Sequence, residues 1–328
     1  MKKGLFVFIV LISVVLLPLS SQAAREAQLA AEKVELKMAV MQGPSGFGVA
    51  QLFANEGKIA DNISADISVY PSPNEVIARL ANGELDVAFL PTNVAANLYS
   101  KGVKVKIAAV TGDGMLMFLT TDDSITQITD LNNRKIHIPG SGSTPDQLTR
   151  ILISALGFDW QEDVELDYSI AAPAQLAQMM IANRVDLAVM PEPFVTMVLS
   201  SNKKATQLID VQALWAALTG VENYPMTVVV ISDAFVAKNP DKVAPLMDAI
   251  KESISWTIAN PDKASQYIER EGIMKAEMAA PAIGRCNLVF RKAKEGFLAM
   301  DIYLKVLQGF DYTSIGGALP DESFYLDY

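Results

Sequence analysis

One cysteine, Cys286, and one histidine, His137, are all the chain has of either residue. That count excludes an intramolecular disulfide scaffold and the usual clustered Cys/His zinc sites. Basic residues are in deficit too: 27 Lys and Arg stand against 37 Asp and Glu, for a formal net charge of −10. The resulting field repels phosphate backbones and argues against nucleic acid as a partner. No short solenoid repeat is present, and neither glycine-rich loop ends in the Gly-Lys-Ser/Thr of a phosphate-binding P-loop. What is abundant is apolar surface. Of 328 residues 51% are hydrophobic, enough for a large buried core and, by length, for about two domains.

The first residues have the parts of a secretory signal. Lys2 and Lys3 precede an apolar run from Leu5 to Leu19 broken only by Ser13 and Pro18, and Ser20-Ser21-Gln22-Ala23-Ala24 follows. The run is shorter than the roughly 20 apolar residues a membrane span requires. Residues 1–23 are therefore expected to be removed near Ala23 rather than kept as an anchor. No cysteine lies near this exit for lipid attachment. A soluble exported chain without an intramolecular disulfide, in an oxidising space, points to the periplasm.

Beyond the signal the chain resembles itself at an offset of 100. Residues 72–94 and 172–194 share Pro73/Pro173, Asp86/Asp186, Ala88/Ala188 and Pro91/Pro191. The shared pattern says more than the identities: a proline at a helix start, an amphipathic helix, a small polar break, then Asp and a buried strand. Upstream, Met38–Met41 runs into Gln42-Gly43-Pro44-Ser45-Gly46-Phe47-Gly48, as Ile136–Ile138 runs into Pro139-Gly140-Ser141-Gly142-Ser143-Thr144-Pro145. Each half reads as strand, Gly/Ser loop, helix, strand, helix, strand. The expected fold is α/β, with two open parallel-sheet lobes. The polar stretch Thr120 to Asp130 reads as the first crossing between lobes, and Val221 to Pro225 as the return. Lobe 1 is then 34–119 plus 228–328, and lobe 2 is 120–227. Asn239-Pro240-Asp241-Lys242 and Asn260-Pro261-Asp262-Lys263 each read as an N-cap before a first-turn proline and an acid.

Ligands of open α/β sheets bind beyond the carboxyl ends of the strands, where each Gly/Ser loop would aim a helix N-terminus with free N–H groups. Two lobes with two crossings can close on something small.

The secretion signal, the loops at 43–46 and 140–145, and Val185-Asp186 followed by Glu192-Pro193-Phe194 resemble periplasmic solute-binding proteins of ABC importers. The similarity is to the branch of nitrate, sulfonate, taurine and thiamine-pyrimidine-precursor binders, over essentially the whole mature chain. It implies the type II, Venus-flytrap binding-protein fold, a monomer, no cofactor, no catalytic residue, and delivery of a small solute to a membrane permease and its ATPase. Carried over by position, the ligand loops fall on Gln42, Ser45, Gly46, Phe47, Thr92 and Asn93 in lobe 1. In lobe 2 they fall on Ser141, Gly142, Ser143, Thr144 and Glu192. Tyr224, beside the return crossing, is a candidate aromatic wall.

Each residue also has a plainer reading. Gly46 and Gly142 serve tight turns, Ser143 or Thr144 caps a helix, Glu192 is a solvated loop acid, and Tyr224 is packing. None of the loops carries Lys or Arg, and Glu192 repels anions. A neutral flat heterocycle of the aminopyrimidine kind is therefore favoured, with Phe47 and Tyr224 stacking, Gln42 and Asn93 reading its edges and Glu192 accepting from its amino group. A sulfonate, taurine or nitrate is the alternative solute. An enzyme or a sensory module on the same fold is the alternative class, although His137 reads as a packed strand residue and Cys286 as a buried small hydrophobe.

Overall fold

The computed structural model describes residues 33–328, so the expected signal lies outside the described residues. Among the described residues twelve strands form two sheets. The seven-stranded sheet contains β1 (Val34–Met41), β2 (Lys58–Ala60), β3 (Ile63–Tyr70), β4 (Val87–Pro91), β5 (Val105–Asp113), β11 (Pro225–Ser232) and β12 (Leu288–Lys292), in the order β12-β5-β11-β4-β1-β3-β2. The five-stranded sheet contains β6 (Leu116–Thr120), β7 (Arg134–His137), β8 (Val164–Asp167), β9 (Leu187–Pro191) and β10 (Thr206–Asp210), in the order β10-β6-β9-β7-β8.

The helices that follow strand ends are α1 (Pro44–Gly48), α2 (Ala50–Ala54), α3 (Pro73–Ala81), α4 (Thr92–Ser100), α5 (Thr144–Ala155), α6 (Pro173–Ile181), α7 (Phe194–Ser201) and α8 (Val211–Thr219). After β11 come α9 (Asp233–Lys238), α10 (Pro240–Ala259), α11 (Pro261–Arg270), α12 (Ala276–Ile283) and α13 (Ala293–Phe310).

The internal repeat is structural. β10-β6-β9-β7-β8 repeats the order β5-β11-β4-β1-β3, with α3/β4 answered by α6/β9 one hundred residues on. Between helix and strand each copy makes the same left-handed turn, at Gly83 (φ 72°) and at Asn183 (φ 53°), two residue types that tolerate it. The Asp that follows pins a neighbouring segment in both copies. Asp86 accepts from the Lys37 N–H at 2.8 Å, and Asp186 accepts from the Thr121 hydroxyl at 3.0 Å. Their carbonyls accept from the Ser232 and Thr121 N–H groups, just where β11 and β6 finish.

Three expectations change. The sheets are mixed, not parallel: β11 runs antiparallel to β4 and β5, and β6 antiparallel to β9 and β10. Each of these strands has just arrived from the other sheet and so enters against the direction of its neighbours. The outward crossing is also much shorter and earlier than Thr120 to Asp130. β5 ends at Asp113 and β6 begins at Leu116 in the other sheet, leaving only Gly114 and Met115 between them. Leu116–Thr120, expected in lobe 1, therefore pairs in the five-stranded sheet, while 225–227, expected in lobe 2, belongs to β11 of the seven-stranded one. The crossing is buried, with Asp113 and Met115 4% and 1% exposed, so its composition resembles that of a strand. Finally, Asn239 and Asn260 sit at N-cap positions, but their side-chain amides donate backward, to the carbonyls of Phe235 and Trp256. They close the preceding helix instead of capping the next.

One apolar cluster runs through the junction, joining Val110 and Tyr303 of the seven-stranded half to Leu148 and Trp215 of the other. Two further clusters lie one in each half.

Candidate functional site

The carboxyl ends of β1 and β4 face those of β7 and β9. A methyl built on Gly43, after β1, would lie 3.9 Å from the Pro193 ring after β9. After β4, the Asn93 side-chain oxygen accepts a 3.1 Å hydrogen bond from the Thr144 hydroxyl at the start of α5. Both groups are buried, so this bond ties the two halves together.

The loop after β1 is mostly architecture. Gln42 is exposed, and its N–H donates to the Tyr70 carbonyl. The Ser45 hydroxyl folds back on Met41, accepting from its N–H at 3.0 Å and donating to its carbonyl at 3.2 Å. A Cβ at Gly46 would come within 2.8 Å of Ile273 and 3.0 Å of the Met41 carbonyl. The Phe47 ring is fully buried in the core of the seven-stranded half. Phe47 was expected to stack on the solute; the short helix α1 instead turns its ring into this core.

In the opposite loop Ser141 and Gly142 are exposed, while Ser143 is the N-cap of α5. The Ser143 hydroxyl accepts from the Asp146 N–H and donates toward the Gly140 and Pro139 carbonyls. Thr92, also buried, donates to the Pro225 carbonyl at 2.7 Å, which fixes the start of α4 against the incoming strand β11.

Glu192 is fully buried rather than solvated. Its carboxylate accepts from the Thr196 N–H at 3.0 Å and from Arg285 Nε at 2.5 Å, and its own N–H donates to the Met115 carbonyl. The Glu192–Pro193 peptide is cis. Arg285 follows α12 in the seven-stranded half, so this ion pair spans the two halves. None of the expected ligand loops carries Lys or Arg, and the cation that meets Glu192, Arg285, lies outside them. No local pattern around Gly284-Arg285-Cys286 announces the contact, which links residues 93 positions apart. Neighbouring Cys286 is buried, and burial pushes its thiol well above the ordinary range.

Tyr224 completes a ring cluster that sequence reasoning recognised only in part. Its ring stacks on Tyr303 of α13 (centroids 5.9 Å, 19°) and meets Trp215 of α8 edge-on (5.6 Å, 61°); Trp215 meets Tyr303 at 5.8 Å. One ring comes from each half and one from the return crossing. All are at most 1% exposed. Sequence alone leaves Trp215 and Tyr303 as ordinary apolar members of amphipathic helices, which the polar tips contradict. The Tyr224 hydroxyl, the Tyr303 hydroxyl and Trp215 Nε1 have no hydrogen-bond partner among the described residues. Backbone N–H groups of Met115 and Leu116 lie near the Tyr224 hydroxyl, and Thr144 near that of Tyr303, without hydrogen-bonding geometry. Burial drives both phenols well above their ordinary values, so they stay protonated as donors. Buried polar groups are normally satisfied, and a cluster that is not is a candidate contact surface for a polar molecule.

Gly114, in the outward crossing, lies flat against this cluster. A Cβ there would fall 2.2 Å from the Tyr224 ring and 1.9 Å from the Gln212 side-chain oxygen, itself buried and unpartnered among the described residues. Gln212 donates to the Asn223 side chain at 2.9 Å and to the Glu222 carbonyl. Beside it opens a cavity of about 530 Å³, reached from Asp113 and Asn287 on one side and Gln212, Glu222 and Asn223 on the other. Gly114→Ala is expected to destabilise the protein by about 1–3 kcal/mol through overpacking, measured as a lower urea midpoint at unchanged slope. A wild-type midpoint would show that the crossing can make room.

His137 ends β7 with Nδ1 3.7 Å from Asp167, and burial lowers its pKa, leaving it neutral at pH 7. Among the described residues no group of three His, Cys, Asp or Glu side chains could hold a metal ion. No helix among them is long and apolar enough to cross a membrane.

The NMT1/THI5-like family model matches residues 59–264. No curated protein is significantly similar to the chain. Among solved structures, an ABC transporter protein from Parabacteroides distasonis superposes with a TM-score of 0.77 at 27% identity, over 89% of this chain and 98% of that one. The periplasmic aliphatic sulphonate binding protein SsuA from Escherichia coli gives 0.72 at 14% identity, over 90% and 92%. The periplasmic nitrate-binding protein NrtA from Synechocystis PCC 6803 gives 0.59 at 14% identity, over 80% and 74%. The chain belongs to the NMT1/THI5-like family and has the fold of the solute-binding proteins of ABC importers.

Proposed function

We propose that this protein is the extracytoplasmic receptor of an ABC importer, exported by its N-terminal signal, and that it captures a small neutral heteroaromatic solute of the aminopyrimidine kind. It delivers that solute to a membrane permease and its ATPase. In this reading the two sheets are the cores of two lobes, roughly 34–113 with 225–328 and 116–219, which close like jaws about Gly114 and the 220–224 return. It is a binding protein rather than an enzyme, and works as a monomer.

The observation that carries the reading is the trio of Trp215, Tyr224 and Tyr303. Three rings from two halves and a crossing meet beside the point where the lobes bend, each with a buried polar tip in want of a partner. Flat rings suit a flat solute, and phenol and indole donors suit ring nitrogens. Gln212, Asn93, Thr92 and Thr144 supply further polar groups from both lobes. Glu192, already paired with Arg285, organises the cleft's edge instead of holding a ligand amino group. The same pair neutralises Arg285, which therefore does not favour an anion.

Denaturing mass spectrometry of the purified mature protein, with a thermal-shift panel, tests this. A stoichiometric small heterocycle, or stabilisation by aminopyrimidines, is the expected result; at 100 times Kd the gain is about 2.7 kcal/mol. Stabilisation by taurine or nitrate alone would keep the receptor and discard the heterocycle. Turnover of a candidate molecule would discard the receptor.

A further inference from the structure

The loop that opens α5 was expected to present free N–H groups to a ligand, but the chain uses most of them itself. Asp146, in the first turn of α5, is fully buried. One carboxylate oxygen accepts from the Gly142 N–H at 2.7 Å and from Arg150 Nη2 at 2.8 Å. The other accepts from Arg150 Nε and from the Tyr168 hydroxyl, both at 2.7 Å. Arg150 is held in turn over the Trp160 ring, 4.5 Å from its centroid, and also contacts the Tyr168 hydroxyl. Around this knot three more backbone donors are engaged. The Ser143 N–H points to the Gly140 carbonyl, the Asp146 N–H to the Ser143 hydroxyl and the Gln147 N–H to the Ser143 carbonyl, while Pro145 has none. The repeat-related helix α1 has no acid in its first turn.

We infer that Asp146 is a specificity-determining residue: its carboxylate is a built-in anion that fills the Gly140–Ser143 loop and closes that end of the cleft to anionic solutes. The physics is that of anion binding at helix N-termini, satisfied internally. A guanidinium, a phenol and a loop N–H converge on two oxygens, a donor set of the kind that holds a free carboxylate or nitrate. With the side-chain carboxylate in place, an external anion meets a Gly142 N–H already engaged and a neutralised arginine. The inference rests on the solute-receptor reading above, since specificity has meaning only for a receptor, but its test does not need the solute.

The test is chemical rescue. Asp146→Ala removes the internal anion and leaves Arg150, Tyr168 and the Gly142 N–H facing the space it occupied. Thermal unfolding of the full mature protein is followed against formate and nitrate, with the variant and the wild type in parallel at matched ionic strength. The variant is expected to melt lower than wild type and to regain stability saturably with either anion, by a shift of about 2 °C or more, at concentrations that leave wild type unmoved. Should Asp146→Ala not fold, Asp146→Asn serves, because its amide also leaves the guanidinium without a carboxylate. A folded variant that responds to these anions no more than wild type overturns the inference. Failure of the receptor reading would appear separately, as the absence of any stabilising solute for the wild-type protein.

Discussion

Tyr224→Ala is expected to lower the free energy of unfolding by about 3–5 kcal/mol, the range for deleting a large buried ring, and to abolish solute binding. Tyr224 stacks on Tyr303, meets Trp215 edge-on and packs against Gly114, so the cavity opens between rings that have no alternative partner. Loss of stability alone does not separate a structural ring from a ligand contact. Tyr224→Phe does. Its hydroxyl has no hydrogen-bond partner among the described residues, so deleting it relieves an unsatisfied buried group and leaves the ligand-free protein as stable as wild type or more so. If that hydroxyl meets the solute, affinity falls by about tenfold, the equivalent of one hydrogen bond. Urea unfolding and a binding titration on the same preparations read both quantities. A Phe variant with wild-type affinity would assign the ring to packing only.

The second large effect is expected at the ion pair between halves. Arg285→Ala leaves the Glu192 carboxylate, 0% exposed, with the Thr196 N–H but no cation. Complete loss of a partner in a buried pair is worth about 3–5 kcal/mol. Here the Arg285 side chain is still 43% exposed, which lets water reach the broken pair and reduces the expected loss to about 1–3 kcal/mol. The variant should also sample more open forms, because the bond it loses bridges the two halves; a larger radius of gyration in small-angle scattering is the readout. Glu192→Gln in the Arg285→Ala background should recover part of the stability by removing the stranded charge. Strict additivity of the two substitutions would mean that the residues do not interact.

The parts of this molecule governed by local periodicity were legible from its residues. The hundred-residue echo of Pro73/Pro173 and Asp86/Asp186 follows from helix starts, a left-handed turn and a buried strand, each set within a few residues. The crossings were harder. Gly114 and Met115 carry the chain between sheets while buried, so nothing polar marks them, whereas the polar stretch from Thr120 does not cross at all. Phe47 looked available because it follows a glycine loop; which way a ring on a five-residue helix points depends on Thr257 and Ile254 of the distant helix α10, packed against that turn. Arg285, Trp215 and Tyr303 reach the site only through tertiary contacts, and each is locally indistinguishable from an ordinary helix-end or core residue. Asp146 is one acid in a helix's first turn, and nothing local marks its reach back to Gly142.

Trp215 gives the central claim a direct optical readout, because its indole touches both tyrosines of the trio. The measurement is its fluorescence during titration of the mature protein with a 4-aminopyrimidine and, separately, with taurine, ethanesulfonate and nitrate. The account predicts a saturable one-to-one change with the pyrimidine, weakened in Tyr224→Phe, and no saturable change with the three others. Saturable binding of a sulfonate or nitrate with no response to the pyrimidine would contradict it.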